Sequence, residues 1–240
     1  MNSRFTTADE DILDFNFWPS FSDLMLSLVL ILVVVLFLFL SVITVGTVNL
    51  KHVKENQREM VQGIAAAYGV TPNKTKDDYF EILPAGIIIQ NYPELQRISF
   101  TDRILFPQDE HGLSETGKQT LTIIGQLLKK QLPVIREIQI QGHADTDKSR
   151  LYPTNLDLAA FRAIEVFKYL QNEVGIDPAE HLMSATSFGE FKPVQRSDED
   201  LSYNDLNLIK DNRTKSLKDR NRRIELLLFY SIEIKEPKKE

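Results

Sequence analysis

The chain's 240 residues are 42% hydrophobic and 26% charged, an ordinary globular average that is long enough for one or two domains. With 34 acidic residues against 28 Lys and Arg, the net charge of −6 argues against a nucleic-acid binder. Cysteine is absent, which excludes a disulfide framework, thiol catalysis and thiolate metal sites.

In chain order, the first residues carry Arg4 against Asp9, Glu10, Asp11 and Asp14, so the basic region of a signal peptide is missing. An apolar run comes next. No charge occurs from Leu24 to Leu50, and only Ser27, Ser41 and Thr44 interrupt the 22 residues Leu24 to Val45. As a helix this run rises about 33 Å, enough to cross a hydrocarbon core of about 30 Å, and it is too long for a signal-peptide core. It reads as an uncleaved membrane anchor.

Trp18-Pro19 has the form of an interfacial aromatic followed by a first-turn proline, which starts the helix near residue 19. Asp23 then falls one turn inside, where a carboxylate costs about 2.5–3.5 kcal/mol and is usually kept for function. An N-cap or headgroup position is the alternative for it. At 100° per residue Ser27, Ser41 and Thr44 lie within about 60° of the Asp23 direction, although such hydroxyls commonly bond back to their own helix. After the run come Lys51, Lys54 and Arg58. Taken alone, the positive-inside rule places the large C-terminal part of the chain in the cytoplasm.

Residues 51–69 read as a helix with Val53, Met60, Val61, Ile64 and Tyr68 as its apolar or bulky positions, a stalk or dimer contact. Residues 71–78 read as a polar linker. From residue 80 the pattern alternates. Strands are expected at Phe80–Gln90, Ile98–Phe106, Glu137–Gln141, Leu182–Phe188 and Ile224–Tyr230, and helices at Leu113–Leu132 and Asn155–Val174. A polar insertion at 194–220 balances six basic against six acidic residues, with a helical turn at Tyr203–Lys210. This order implies one α/β layer pair of βαβαβ type with a mixed sheet. The expected divisions are a tail (1–18), a transmembrane helix (19–47), a helical stalk and linker (48–79) and the α/β domain (80–235).

Asp145 lies just past a strand end, and Arg162 sits about 100° off the apolar stripe of the following helix. A carboxylate beside a guanidinium could receive a ligand carrying both an amine and a carboxylate, or form an ordinary internal salt bridge. His143 has no second metal ligand at useful spacing. No nucleophile elbow, phosphate loop or dinucleotide fingerprint occurs, so nothing in the sequence asks for an enzyme or a cofactor.

The stretch Ile98–Tyr230 resembles the OmpA-like peptidoglycan-binding domain. The residues that carry the likeness are Leu105-Phe106, Gly142-His143-Ala144-Asp145, Asn155 with Leu158 and Arg162-Ala163, Gly175-Ile176, Gly189 and Asn221-Arg222-Arg223. The resemblance implies that Asp145 and Arg162 hold the amine and carboxylate of diaminopimelate in a peptidoglycan stem peptide, with Asn155 and Arg222 lining or supporting the pocket. Ala144 and Ala159 stand where that family usually has threonine and serine.

Residues Trp18 to Met25, Trp-Pro-Ser-Phe-Ser-Asp-Leu-Met, resemble the start of the transmembrane helix in MotB-type stator subunits. The wording is closer to ZorB, the MotB-like subunits of Zorya anti-phage systems, than to flagellar MotB. That resemblance implies a homodimer inside a ring of multi-pass ZorA- or MotA-like partners, with Asp23 binding and releasing the transported proton. It also implies a cytoplasmic tail, an inner-membrane helix and a periplasmic C-terminal domain, against the basic flank. A flagellar-type stator subunit and a passive membrane-to-wall tether are the alternatives.

Overall fold

The computed structural model describes residues 18–231 except 77, 84 and 198–199, and leaves out the side chains of 44–49 and 76. The acidic tail and the last residues of the expected domain (232–235) lie outside it. The chain divides into two units, Met1–Thr47 and Val48–Glu240.

In the first unit, helix α1 (Trp18–Ala67) begins with Trp18–Ile43, 26 residues of mean hydropathy 3.4. By length and composition this stretch can cross a membrane. Its Leu, Val and Phe side chains are exposed, as a lipid-facing surface requires.

The second unit contains a seven-stranded mixed sheet among the described residues. Its strands are β1 (Asn73–Lys76), β2 (Tyr79–Ile82), β3 (Ile87–Asn91), β4 (Leu95–Thr101), β5 (Ile135–His143), β6 (Leu182–Gly189) and β7 (Arg223–Tyr230). Their spatial order is β1-β2-β3-β4-β7-β5-β6. Only β5 and β6 run parallel, joined by the crossover helix α4 (Asn155–Asn172); the other neighbours are antiparallel. Alternation along the strands separates two faces. Ile98 and Phe100 of β4, Ile138 and Ile140 of β5 and Ile224, Leu226 and Leu228 of β7 enter one core. Leu121 and Ile124 of α3 (Glu115–Gln131) and Ala163 and Val166 of α4 join that core. The opposite positions of the same strands are Arg97, Ser99, Gln139, Gln141 and Glu225, a largely polar face.

Five regions differ from the sequence reading. Residues 53–65 are not a stalk: Val53, Met60, Val61, Ile64 and Ala65 belong to the core of the second unit. Gln57 donates to the Tyr92 carbonyl at 2.8 Å, Gln96 donates to the Gln57 carbonyl at 2.9 Å, and Gln131 donates to the Asn56 carbonyl at 2.8 Å. The expected linker contains edge strand β1, whose polar, Lys-rich sequence suits a strand with no apolar face to bury. The long strand at 80–90 is a hairpin, β2 and β3, turning at Gly86 with φ 59°. The strand at 98–106 stops at Thr101 and gives way to a single helical turn, α2 (Asp102–Leu105). The insertion carries two short helices, α5 (Asp205–Asp211) and α6 (Lys215–Asn221), each capped by a side chain, Asn204 and Thr214.

Candidate functional site

Strand β5 delivers Asp145 two residues past its end, and the start of α4 lies against it. Gly142 makes this approach possible, since a Cβ there would stand 2.1 Å from the Ala159 carbonyl oxygen. A capping box fixes the helix start: the Thr154 side chain accepts from Asp157 N–H while the Asp157 carboxylate accepts from Thr154 N–H. Asn155, the first helical residue, donates from Nδ2 to the Asp145 carbonyl at 2.9 Å and accepts Ser149 N–H at 3.2 Å. It therefore pins both sides of the loop that carries Asp145.

The Asp145 carboxylate accepts Asp147 N–H at 3.0 Å and pairs with Arg222 Nη1. Arg222 also pairs with Asp219, and its Nε lies 3.7 Å from Asp102 Oδ2. Arg162 donates from Nη1 to that same Asp102 Oδ2 at 3.2 Å and from Nε to the Glu110 carbonyl at 2.8 Å. Its guanidinium lies over the Phe106 ring at 5.1 Å. Asp145 and Arg162 thus do not pair with each other; Asp102 and Arg222 link them. Asp102, Asp145 and Arg162 are all buried.

Burial pushes the Asp102 and Asp145 carboxyls up, and Arg162 and Arg222 on the first, Arg222 and Asp147 N–H on the second, only partly offset it. Burial likewise lowers Arg162, against the attraction of Asp102. Asp102 Oδ1 is buried with no hydrogen-bond partner. The arrangement therefore presents a guanidinium and an acceptor oxygen side by side, chemistry suited to a carboxylate and an ammonium on one ligand.

Beside it, Asp109 adopts φ 59° and its carboxylate accepts from Ser149 Oγ at 2.7 Å and from Arg150 N–H at 2.9 Å. The rings of His111, Tyr152 and Phe161 cluster there with centroids 5.6–5.8 Å apart. Sequence reasoning brought forward Asp145, Arg162, Asn155 and Arg222 and missed Asp102 and Asp219. The available signal for Asp102 was a charged Asp-Arg pair breaking the apolar run before Leu105-Phe106.

His143 takes no part in this site. It is buried on the other side of the sheet end, stacked on Phe188 at 5.3 Å, with Nε2 3.5 Å from Glu225 Oε2. Asp23 lies exposed on α1 in the first unit. Ser27 is one turn from it, but Ser41 is about 27 Å further along the axis, so these two hydroxyls cannot share one ion position with Asp23. The Thr44 side chain lies outside the described residues.

The OmpA family profile matches residues 105–205. Among solved structures, a MotB-like protein from Desulfovibrio vulgaris is 19% identical, with 76% of this chain and 99% of that one covered and a TM-score of 0.56. The periplasmic domain of MotB is 17% identical, with 69% of this chain and 81% of that one covered and a TM-score of 0.51. No curated protein matches the chain. At these identities the likeness to the solved structures is one of fold. The chain joins an N-terminal apolar helix to an OmpA-like α/β domain with a mixed sheet.

Proposed function

We propose that this chain is the wall-anchored, ion-conducting subunit of an inner-membrane rotary motor, MotB-like and of the ZorB type found in Zorya anti-phage systems. In this reading the OmpA-like domain lies in the periplasm and grips the diaminopimelate stem peptide of peptidoglycan. Arg162 takes the ligand carboxylate, while Asp102 and Asp145 take its ammonium. Asp23 carries protons for a ring of ZorA- or MotA-like partners around a dimer of this chain. Each charge crossing 100 mV delivers about 2.3 kcal/mol to that step.

The observation that carries the wall-binding half is the Arg162–Asp102–Arg222–Asp145 chain, buried except at the half-buried Arg222, with its unpartnered Asp102 oxygen. The motor half rests on an acid one turn inside a helix otherwise free of charge to Leu50. Sacculus pulldown with the full chain tests the first: Asp145→Ala and Arg162→Ala should abolish binding, and wild-type retention in both would remove the site assignment. For the second, Asp23→Asn should stop proton flux while the protein still copurifies with its membrane partners. Undiminished flux in that variant would leave a passive tether.

A further inference from the structure

The polar face of the sheet is not bare at its β3–β4–β7 end. There the segment 192–196 and the end of α6 stand over the strands and enclose a cavity of about 290 Å³. This is near the small end of ligand cavities, which span roughly 300–1,000 Å³. Its charge is one-sided. Arg97, Arg196, Arg220 and Arg223 line it, and Glu225 is the sole carboxylate among the described lining residues.

The floor is ion-paired, although Arg97 Nε and Glu225 Oε2 are buried without a hydrogen-bond partner. Glu225 Oε1 accepts from Arg223 Nε at 2.7 Å, while its Oε2 lies 3.5 Å from Arg97 Nε. One carboxylate thus answers two guanidiniums. Burial keeps the adjoining His143 neutral, with its pKa lowered to about 4, so it adds no charge at neutral pH.

The walls are different. Arg196 is held by donating to the Phe191 carbonyl at 2.6 Å and by stacking on Tyr203 at 4.4 Å, and it has no carboxylate within ion-pair distance among the described residues. Arg220, exposed at the end of α6, likewise makes no ion pair among the described residues. A guanidinium held in place outside ion-pair distance of any described carboxylate is a preorganised receptor for an oxyanion. Ser99 and Thr101 add hydroxyl donors, and Ile88 and Val194 an apolar wall.

We propose that this cavity is a binding site for a small soluble phosphate ester, with Arg196 and Arg220 clamping the dianionic phosphate and the organic portion lying against Ile88. A dianion is favoured over a carboxylate because, among the described lining residues, four guanidiniums face one acid, a surplus that a single negative charge does not neutralise. The site is separate from the Asp102–Arg162 cluster: β7 opens with Arg223 turned into the cavity, while its neighbour Arg222 pairs with Asp145 on the other side.

Calorimetric titration of the full chain in uncharged detergent with glucose 1-phosphate tests the proposal. Saturable binding at about millimolar or tighter is expected, with no binding of glucose and at least about tenfold weaker binding of acetate. Arg220→Ala and Arg196→Gln should each weaken the phosphate ester about tenfold, the loss of one charge-assisted hydrogen bond. The denaturation midpoint of Arg220→Ala should stay at the wild-type value. The proposal is overturned if no saturable heat appears up to about 10 mM ester. It is equally overturned if acetate binds as well as the ester, or if the double variant keeps wild-type affinity.

Discussion

Two clusters of arginine meet at the start of β7 and use the same side chain in opposite ways. On the α4 side, Arg103, Arg162 and Arg222 are matched by Asp102, Asp145 and Asp219, each guanidinium within ion-pair distance of a carboxylate. On the far side, four arginines face Glu225. The first cluster is balanced before any ligand arrives, so its charges act as a rigid frame, and recognition there is a matter of geometry. The second holds a surplus of guanidiniums over carboxylates among the described residues, which suits it to a ligand that brings negative charge. Adjacent residues, Arg222 and Arg223, serve the two clusters because they leave the chain on opposite sides of the sheet.

On that contrast, damage to the balanced cluster or to the ion-paired floor of the second costs folding stability, and removal of a wall arginine of the second does not. The largest effect is expected for Asp102→Ala, which strands Arg162 as a buried, unmatched cation. Urea unfolding should register a loss of about 3–5 kcal/mol, and a midpoint within error of wild type would mean the frame is not stressed. Acid should act on the floor of the second cluster. The His143 imidazole accepts a proton near pH 6.5 when unfolded but only near 4 when folded. The unfolded state therefore binds more protons between those values, and stability falls as pH drops from 6.5 towards 4, by on the order of 3 kcal/mol at most. Glu225 continues the trend further down. Burial pushes its carboxyl up, but His143, Arg223 and Arg97 outweigh this and hold it below its ordinary value, so protonating it is a further loss. Unfolding midpoints at pH 7 and pH 4.5 measure the first step, and His143→Gln should flatten it.

Gly142→Ala should cost about 1–3 kcal/mol by driving α4 off the strand end, with sacculus binding lost alongside. Arg220→Ala, by contrast, should shift unfolding by less than about 0.5 kcal/mol. A larger shift would mean that the surplus cluster is also structural.

Much of the first cluster was legible because its parts sit in short, local signatures. Gly142 to Asp145 marks a strand end, and Asn155 to Arg162 marks a helix start, so the sequence places these groups near one another. Asp102 escaped because the alternation of Ile98 and Phe100 runs on into Leu105-Phe106, and nothing in that pattern announces the helical turn of α2. The cavity was not legible at all. Arg97, Arg196 and Arg220 are brought together by a sheet order in which β4 lies beside β7, and balanced charge in the insertion reads as a solvated loop. The apolar stripe Val53–Met60–Val61–Ile64 was visible, but a stripe does not say what it lies against.

That stripe decides how the domain can be separated from the rest of the chain. Four large side chains of residues 53–64 sit in the core, and at about 1.5–3 kcal/mol each they contribute on the order of 10 kcal/mol, comparable to the whole net stability of a domain. A protease that nicked the backbone just before Tyr79 would therefore melt the α/β fold rather than release it. The segment that looks like a tether is a keystone, and the fold cannot be shed intact from whatever holds its N-terminal end.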